Sequence, residues 1–393
     1  MIQAAPRWQK SQGKICLGNF NRFVDYEISM TLMQGKLFLS YTITIVISLI
    51  GMLIAGAINM PLPWMLGPLF ITAACKLSGI GYFDANGNLP KSTSKFFIPI
   101  IGIAISANVT PAIIASFASW WPSMVLVVPF NIVLQFIIYR IFLTVGKHDR
   151  ATAYFSSCTG GVTESILLGS EKGGNASVIA FQHSARVFLA ISIVPFMVLL
   201  LTSLSVHPRQ VELPELNSVG GVYFPDVFLM ISAAVGGALI AFKLRLPAAA
   251  MIGPLTLGVI LYSTEIITMP VPEPVLHIAQ LFVGTILGAR FKSKDRAAII
   301  RGAPMAVMAL CVSIPCAGLI AYLLAHSGVA NTEILFLSFA PGGLAEMSLV
   351  AISLDADPVF VAAHHLIRIM STIFLSPLIF IKLIENRTRF SNR

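Results

Sequence analysis

Charge is what this sequence has least of. Charged residues make up 11% and hydrophobic residues 56% of its 393 positions, whereas a soluble domain typically carries about 25% charged residues. The apolar residues come in runs of roughly 18 to 28, long enough for a helix to cross a ~30 Å hydrocarbon core. The composition therefore excludes an ordinary soluble enzyme and predicts an all-α polytopic membrane protein.

Several functional signatures are also missing. The five cysteines show no Cys-x-x-Cys or Cys/His spacing of a zinc site, and no Gly-rich nucleotide loop is present for an ATP-driven pump. The basic residues behind the net charge of +9 form no stripe interleaved with aromatics, as a nucleic-acid surface would require. Residues 1–36 lack an apolar stretch of the kind found in a cleavable signal. We expect no cofactor, no metal site and no direct nucleic-acid partner.

The second half of the chain repeats the first. The matched positions hold Gly, Pro, Glu, His and Arg, which apolar bias alone does not align. At one constant spacing the matched pairs include Gly160/Gly342, Gly161/Gly343, Glu164/Glu346, His183/His365 and Arg186/Arg368, and at a slightly larger spacing the segment Pro61–Leu69 matches Pro247–Leu255. An internal duplication of about half the chain length is a property of many transporter folds.

Each half contains five long apolar runs and one shorter, Gly-rich segment. The long runs are 37–58, 62–81, 96–117, 123–145 and 176–204, then 222–242, 246–263, 275–290, 302–326 and 358–384, and the shorter segments are 151–169 and 333–352. The predicted organisation is a cytoplasmic extension 1–36, a first repeat 37–204, an external linker 205–221, a second repeat 222–384 and a cytoplasmic tail 385–393.

The basic residues indicate that the two repeats are inverted. With the N-terminus inside, 21 of the 26 Lys and Arg fall on the cytoplasmic side and only Arg209 falls outside, as the positive-inside rule expects. Loop 146–150 is basic while its counterpart 327–332 has no Lys or Arg, and loop 118–122 has none while 292–301 is strongly basic. Inversion requires an odd number of crossings per repeat. We therefore predict about ten transmembrane helices in two inverted five-helix repeats, each with one re-entrant or broken Gly-Gly segment.

The Gly-Gly segments are the candidate solute site. Interrupted helices at equivalent positions of inverted repeats mark a transporter site near the midplane. Gly160, Gly161, Gly342 and Gly343 let the backbone turn and a ligand approach, and the following helix presents free N–H groups. The alternative is that the glycines only allow tight helix packing.

Each glycine pair is followed by a glutamate at membrane depth. Glu164 and Glu346 are functional candidates because an ionisable group in the bilayer is costly to retain. Three roles are open: a proton carrier, a ligand to a cation, or an ion-pair partner of an arginine.

Arg186 and Arg368 lie about ten residues into their helices, or ~15 Å at ~1.5 Å per residue. An inward-facing arginine can bind a carboxylate or phosphate bidentately, or it can pair with a glutamate and fix the broken segment. His183 and His365, three residues earlier, share the same helix face and are candidates for ion or proton coupling, with satisfied core histidines as the alternative.

These motifs resemble those of the AbrB membrane-protein family of Gram-negative bacteria, which is defined by a duplicated domain. The resemblance rests on the Met-(Leu/Ile)-Gly-Pro-Leu stretches, the Gly-Gly-x-x-Glu elements and the His-x-x-Arg pairs, and covers about residues 40–385. Members are often labelled as ammonia monooxygenases or as AbrB family regulators of gene expression. The first repeat departs from the family pattern at Thr159 and Gln182, where the second has Pro341 and His364.

The sequence favours a secondary transporter of a small solute, with an organic anion as the preferred class, and no enzymatic activity. A copper or iron monooxygenase needs clustered His and carboxylate ligands, and here each histidine neighbours an arginine that would repel a metal. The alternative is a membrane-embedded sensor that regulates gene expression through a partner. The predicted location is the bacterial inner membrane, in contact with lipid, with both termini cytoplasmic; an oligomer is compatible with this architecture.

Overall fold

A computed structural model describes residues 39–79, 89–202, 223–291, 296–354 and 356–385. These residues form fourteen α-helices and no β-strand. The helices are α1 (Leu39–Ala57), α2 (Pro63–Leu77), α3 (Lys91–Ser106), α4 (Pro111–Thr144), α5 (Arg150–Ser157), α6 (Val162–Glu171), α7 (Ala176–Thr202), α8 (Phe224–Lys243), α9 (Ala249–Ser263), α10 (Glu273–Gly288), α11 (Arg296–His326), α12 (Thr332–Phe339), α13 (Leu344–Ser353) and α14 (Pro358–Ile379), which continues as a π-helical stretch, Phe380–Glu385.

Six of these helices are long and apolar enough to cross a bilayer, namely α1, α4, α7, α8, α11 and α14. The prediction of a multi-pass helical membrane protein is therefore confirmed at this level. Four further predicted crossings, α2, α3, α9 and α10, have only 15 or 16 residues, fewer than the ~20 of a full crossing helix.

The duplication recurs in the helix boundaries. The spacing that relates the two Gly-Gly segments also relates both ends of α3, α5 and α6 to those of α10, α12 and α13, and the larger spacing found near Pro61 relates α2 to α9. Each half of the described chain thus contains the same seven helices in the same order. Both short Gly-rich segments are two helices with a break between them.

The division between the third and fourth runs differs from the prediction. We expected a loop at 118–122, but the chain leaves its helix after Ser106 and re-enters one at Pro111. Pro111 occupies the first turn of α4, where proline has no hydrogen bond to lose, and Thr110 caps it by accepting from the amide of Ile113. Pro122 and Pro129 lie inside α4 and do not end it. The extension 1–36, the linker 205–221 and the tail beyond residue 385 lie outside the described residues.

The helices sort into two bundles, each drawn from both repeats. In the scaffold bundle, α2 packs on α10 and α3 on α9, with α8 against α9. In the core bundle, α4 packs on α14 and α11 on α7, with the short helices between them. The bundles meet mainly where α3 contacts α13 and α14.

Glycines bring the scaffold helices together in two equivalent crossings. A Cβ on Gly102 of α3 would lie 2.8 Å from the carbonyl oxygen of Met251 in α9, and a Cβ on Gly284 of α10 would collide with the carbonyl of Met65 in α2. Gly102 and Gly284 are equivalent in the repeat, as are Met65 and Met251. The two repeats therefore contact each other through the same pair of equivalent positions, once in each direction, as expected for units related by a two-fold axis.

Candidate functional site

The site is built around two helix breaks at equivalent positions. The first tip, residues 158–161, separates α5 from α6, and the second tip, residues 340–343, separates α12 from α13. Gly161 has φ +60°, the left-handed conformation that glycine adopts without steric cost. Gly343 has φ −85° and ψ 156°, which any residue can adopt. The glycine signals predicted both breaks, although only the first needs glycine for its backbone angles.

Each predicted glutamate lies in the first turn of the helix that follows its break. Gly161 and Gly343 are the N-caps of α6 and α13, so Glu164 and Glu346 occupy the third helical position. A carboxylate there is stabilised by the partial positive charge of the helix N-terminus. At the second tip, a Cβ on Gly343 would collide with the Glu346 carboxylate. Glycine at this cap therefore leaves room for its own glutamate.

The first tip is held by a buried arginine from the last helix of its own repeat. Arg186 of α7 is 5% exposed. Its Nη1 lies 3.4 Å from the carbonyl oxygens of Ser156 and Ser157, and its Nη2 donates to the carbonyl of Cys158. These carbonyls end α5 and have no helical partner. The guanidinium supplies their donors and places a cation at the negative end of the helix dipole.

The second tip repeats this arrangement. Arg368 of α14 is 3% exposed and donates through Nη1 to the carbonyl of Ala340 at 2.6 Å and through Nη2 to that of Gly342. Cys158 and Ala340 are equivalent positions, so both arginines bind the same carbonyl of their break.

The histidines support the arginines. His183 Nδ1 lies 3.2 Å from Arg186 Nη2, and its Nε2 lies 2.9 Å from the Phe155 carbonyl. Because arginine only donates, Nδ1 must accept, and Nε2 carries the proton that is donated to the carbonyl. His365 does the same between Arg368 and the Leu337 carbonyl, at 2.8 and 2.9 Å. Both rings are therefore neutral and use both nitrogens in positioning an arginine.

The arginines and glutamates do not pair within the described residues. In this part of the chain no hydrogen bond or ion pair joins Glu164 or Glu346 to an arginine of either tip, and both carboxylates are partly exposed. The first tip lies against the last helix of the other repeat, because a Cβ on Gly160 would lie 3.2 Å from Cα of Ile369, the residue after Arg368. At each break the structure thus brings the glycines, the arginine and the histidine together. The glutamate lies in the first turn of the helix that follows the break.

A polar network surrounds the first tip, and sequence analysis missed it. Asn131 of α4 donates to Thr372 Oγ1 of α14 at 3.0 Å and accepts from Thr159. One turn further, Gln135 Nε2 lies 3.2 Å from Cys158 Sγ, and Ser376 donates to Gln135 Oε1 at 3.1 Å. The network joins α4 and the first tip to the last helix of the other repeat.

The equivalent positions around the second tip are almost all apolar. Asn131, Gln135, Cys158, Ser165, Thr372 and Ser376 correspond to Ser313, Ala317, Ala340, Met347, Ala190 and Val194. The Met347 side chain packs against Gly342, where a Cβ would lie 2.5 Å from its methyl carbon. A position-by-position comparison of the two repeats in the sequence would have revealed that the first tip has polar neighbours where the second has apolar ones.

A narrow cleft opens at the first tip. Its polar lining comes from Glu164 and Ser165 of α6, Cys158 and Gly161 of the break, and Thr372 and Ser376 of α14. It has room for about one water molecule. Among the described residues, no three or more His, Cys, Asp or Glu side chains are grouped to bind a metal ion.

Comparisons with known proteins agree with the motifs. Residues 81–384 match the family model described as "Transition state regulatory protein AbrB". The chain is 24% identical over 327 residues to "Putative regulator AbrB" of Escherichia coli (strain K12), covering 82% of this chain and 90% of that protein. It is 23% identical over 352 residues to YhjN of Bacillus subtilis (strain 168), covering 85% of this chain and 90% of that protein. The family match spans well over half of the chain, and the protein therefore belongs to the AbrB family.

Proposed function

We propose that this protein is a secondary transporter that carries a small organic anion across the bacterial inner membrane by alternating access. The observation that carries the proposal is the pair of broken helices at equivalent positions, each tip clamped by a buried arginine and each following helix bearing a glutamate. Backbone that leaves the helix at membrane depth is tolerated where it is buried in protein or lines a cavity. Transporters use such breaks to bind solutes and coupling ions.

The proposal includes ten crossings in two inverted repeats, with both termini in the cytoplasm. The six long helices supply six crossings, and the short helices α2, α3, α9 and α10 supply four, each ~23 Å long. Their Gly-mediated packing on one another supports a position inside the protein, where a locally thin bilayer or tilted neighbours accommodate the shorter length. The opposite charge of equivalent loops supports the inversion.

The roles of the site residues follow from their contacts. Gly160, Gly161, Gly342 and Gly343 form the two turns of the tips. Arg186 and Arg368, oriented by His183 and His365, fix those turns to α7 and α14 and contribute positive potential that favours an anion. Glu164 and Glu346 occupy the helix N-termini that an anionic solute would otherwise use, so they are the groups whose protonation, ligation or displacement couples to solute binding. The proposal includes no catalysed reaction and no cofactor.

The two bundles supply the moving parts. Each arginine ties its tip to the final helix of the same repeat, and the polar network ties the first tip to α14 of the other repeat. The core bundle is thus internally connected at the site. Its contacts with the scaffold bundle are made mostly by α3 and by single side-chain pairs, such as Phe70 with Phe188 and Gln280 with Ser353. Movement of one bundle against the other would expose the tips to each side in turn.

Two-sided accessibility tests this proposal without knowledge of the solute. In a variant with all five native cysteines replaced, Ser165→Cys places a thiol in the cleft. A membrane-impermeant thiol reagent is applied to inside-out and to right-side-out vesicles. Alternating access predicts modification from both sides. The matched control is Ser348→Cys, a buried position of α13 whose hydroxyl donates within its own helix and which should react from neither side.

A membrane sensor is the second candidate, favoured by the regulator names of the family model and of the Escherichia coli relative. A sensor binds its ligand without passing it across the membrane. Modification of Ser165→Cys from one side only, with and without candidate ligands, would favour the sensor and contradict the transporter.

A further inference from the structure

The cleft at the first tip presents oxygen atoms whose hydrogens are used elsewhere. Thr372 Oγ1 donates to the carbonyl of Arg368 at 2.9 Å while it accepts from Asn131. Ser376 Oγ donates to Gln135 Oε1 at 3.1 Å. Ser376 Oγ also accepts from the Cys158 thiol at 3.7 Å, so each hydroxyl has one lone pair and no hydrogen left for the cleft that it lines. An ionised Glu164 carboxylate also offers only lone pairs.

Such a cleft fits a small hard cation. Hydroxyl, carbonyl and carboxylate oxygens are the ligands of hard cations, and four of the lining residues, Glu164, Ser165, Thr372 and Ser376, carry side-chain oxygens. The space fits about one water molecule, so it can hold one dehydrated monovalent cation. The preference for Na⁺ over K⁺ comes from the ligand field, because an ionised carboxylate binds the smaller Na⁺ more strongly.

The charge distribution supports a cation at this position. Glu164 has no ion-pair partner among the described residues, although it lies at membrane depth, where an uncompensated charge is costly. Arg186 does not supply the missing charge, because its Nη atoms contact the carbonyls of Ser156, Ser157 and Cys158 and His183. A monovalent cation would neutralise the carboxylate.

The second tip cannot form the same site. There Met347, Ala190 and Val194 replace Ser165, Thr372 and Ser376, and the Met347 side chain fills the space beside Gly342. Glu346 instead folds back over Gly343. The two glutamates therefore differ in what surrounds them, although the repeat makes them equivalent.

We propose that the cleft between the first tip and α14 is a sodium site, with Glu164, Ser165, Thr372 and Ser376 as oxygen ligands. The site binds one Na⁺ per chain. Its role as the coupling ion of the transport cycle rests on the proposed function, whereas the binding of Na⁺ does not.

Binding is tested on the purified full-length protein in detergent by thermal unfolding in sodium, potassium or choline chloride, and by equilibrium binding of radioactive Na⁺. Sodium at about ten times its dissociation constant should raise Tm by about 1–2 °C over choline, with potassium giving a smaller rise, and binding should saturate near one Na⁺ per chain. Glu164→Gln and the double variant Thr372→Ala/Ser376→Ala should lose both signals. Ser348→Ala, which removes a buried hydroxyl outside the cleft, should keep them.

The outcomes separate this site from the transporter proposal. Equal Tm in the three salts together with no saturable Na⁺ binding overturns the sodium site, as does wild-type binding by Glu164→Gln. Variants that elute as monodisperse protein and unfold at the wild-type Tm in choline show that a lost signal is not lost folding. Sodium binding without any solute flux leaves the site standing and contradicts the transporter. Solute flux that does not depend on sodium supports the transporter and refutes the coupling role of the bound Na⁺.

Discussion

At the scale of single residues, the two buried arginines explain how both helix breaks persist in the buried interior of the protein. The carbonyls at the end of α5 and in the break after α12 would be unsatisfied in a dry interior, which is costly for any buried polar group. Arg186 and Arg368 bind these carbonyls, and a neutral histidine accepts a further donor from each guanidinium. The first function of each arginine in this conformation is therefore to stabilise a backbone turn.

Replacing Arg186 by Met should lower the free energy of unfolding by about 2–4 kcal/mol, because a buried acceptor left without its donor costs about 1–3 kcal/mol. Arg186→Lys should be nearly as harmful, since an ammonium cannot span three carbonyls. The measurement is chemical denaturation in detergent. Arg140→Met is the control, because Arg140 is exposed on α4, and its effect should stay within about 0.5 kcal/mol. A tolerated Arg186→Met would refute the clamping role.

The two N-cap glycines should respond differently to alanine. Gly343→Ala should cost about 1–3 kcal/mol because its Cβ collides with the Glu346 carboxylate, and the cost should nearly disappear when Glu346→Ala is present. Gly161→Ala should cost about 1–2 kcal/mol because φ is +60°, and Glu164→Ala should not relieve it. Double-mutant cycles on unfolding measure both couplings. Equal coupling at the two caps would contradict the described geometry.

Much of the site could be predicted from residue types and spacing. Gly, Glu, Arg and His are conspicuous in apolar segments, and their recurrence at one constant spacing in the second half identified them. The sequence did not predict which of these residues contact one another. The pairing of arginine with backbone carbonyls depends on how deep each break lies beside α7 or α14. Asn131, Gln135, Thr372 and Ser376 were missed because single amides and hydroxyls in long apolar helices are common and acquire meaning only from their neighbours in space.

At the scale of helices, glycine decides how closely the scaffold helices approach. Gly102 and Gly284 each meet the backbone of a helix from the other repeat, whereas Gly318 of α11 faces open space. Gly284→Ala should lower Tm because α10 must move away from α2, and Gly102→Ala should do the same at the equivalent crossing. Gly318→Ala should be neutral or raise Tm, since alanine is the better helix former by up to about 1 kcal/mol. Thermal unfolding of the three variants checks this, and a stabilising Gly284→Ala would contradict the crossing.

Helix existence was easier to predict than helix limits. The long apolar runs became helices, but the boundary expected at 118–122 lies at residues 107–110. That loop was predicted from the absence of Lys and Arg between two apolar runs. The number of basic residues does not show whether a helix continues from one run into the next. The local signal was present in Thr110-Pro111, a capping residue followed by a first-turn proline.

At the scale of the whole molecule, the inverted arrangement predicts that equivalent loops face opposite sides of the membrane. Val145 and Ser327 are equivalent positions of the two repeats, and both are exposed at the end of a long helix. In a cysteine-free background, Val145→Cys should react with an impermeant thiol reagent only from the cytoplasmic side and Ser327→Cys only from the outside. Labelling of intact cells and of inside-out vesicles measures this. Reaction of both from the same side would exclude inversion.

Solute flux is the most direct test of the central claim. The purified protein is first screened by thermal shift against carboxylates, phosphates and amines, because a ligand at about 100 times its dissociation constant stabilises the native state by about 2.7 kcal/mol. Any solute that raises Tm is then followed into liposomes with and without the protein. If the protein is a transporter, uptake by liposomes that contain the wild-type protein should exceed uptake by protein-free liposomes, and Glu164→Gln should abolish the difference. A solute that binds but enters no faster than into protein-free liposomes would contradict transport and identify a sensor.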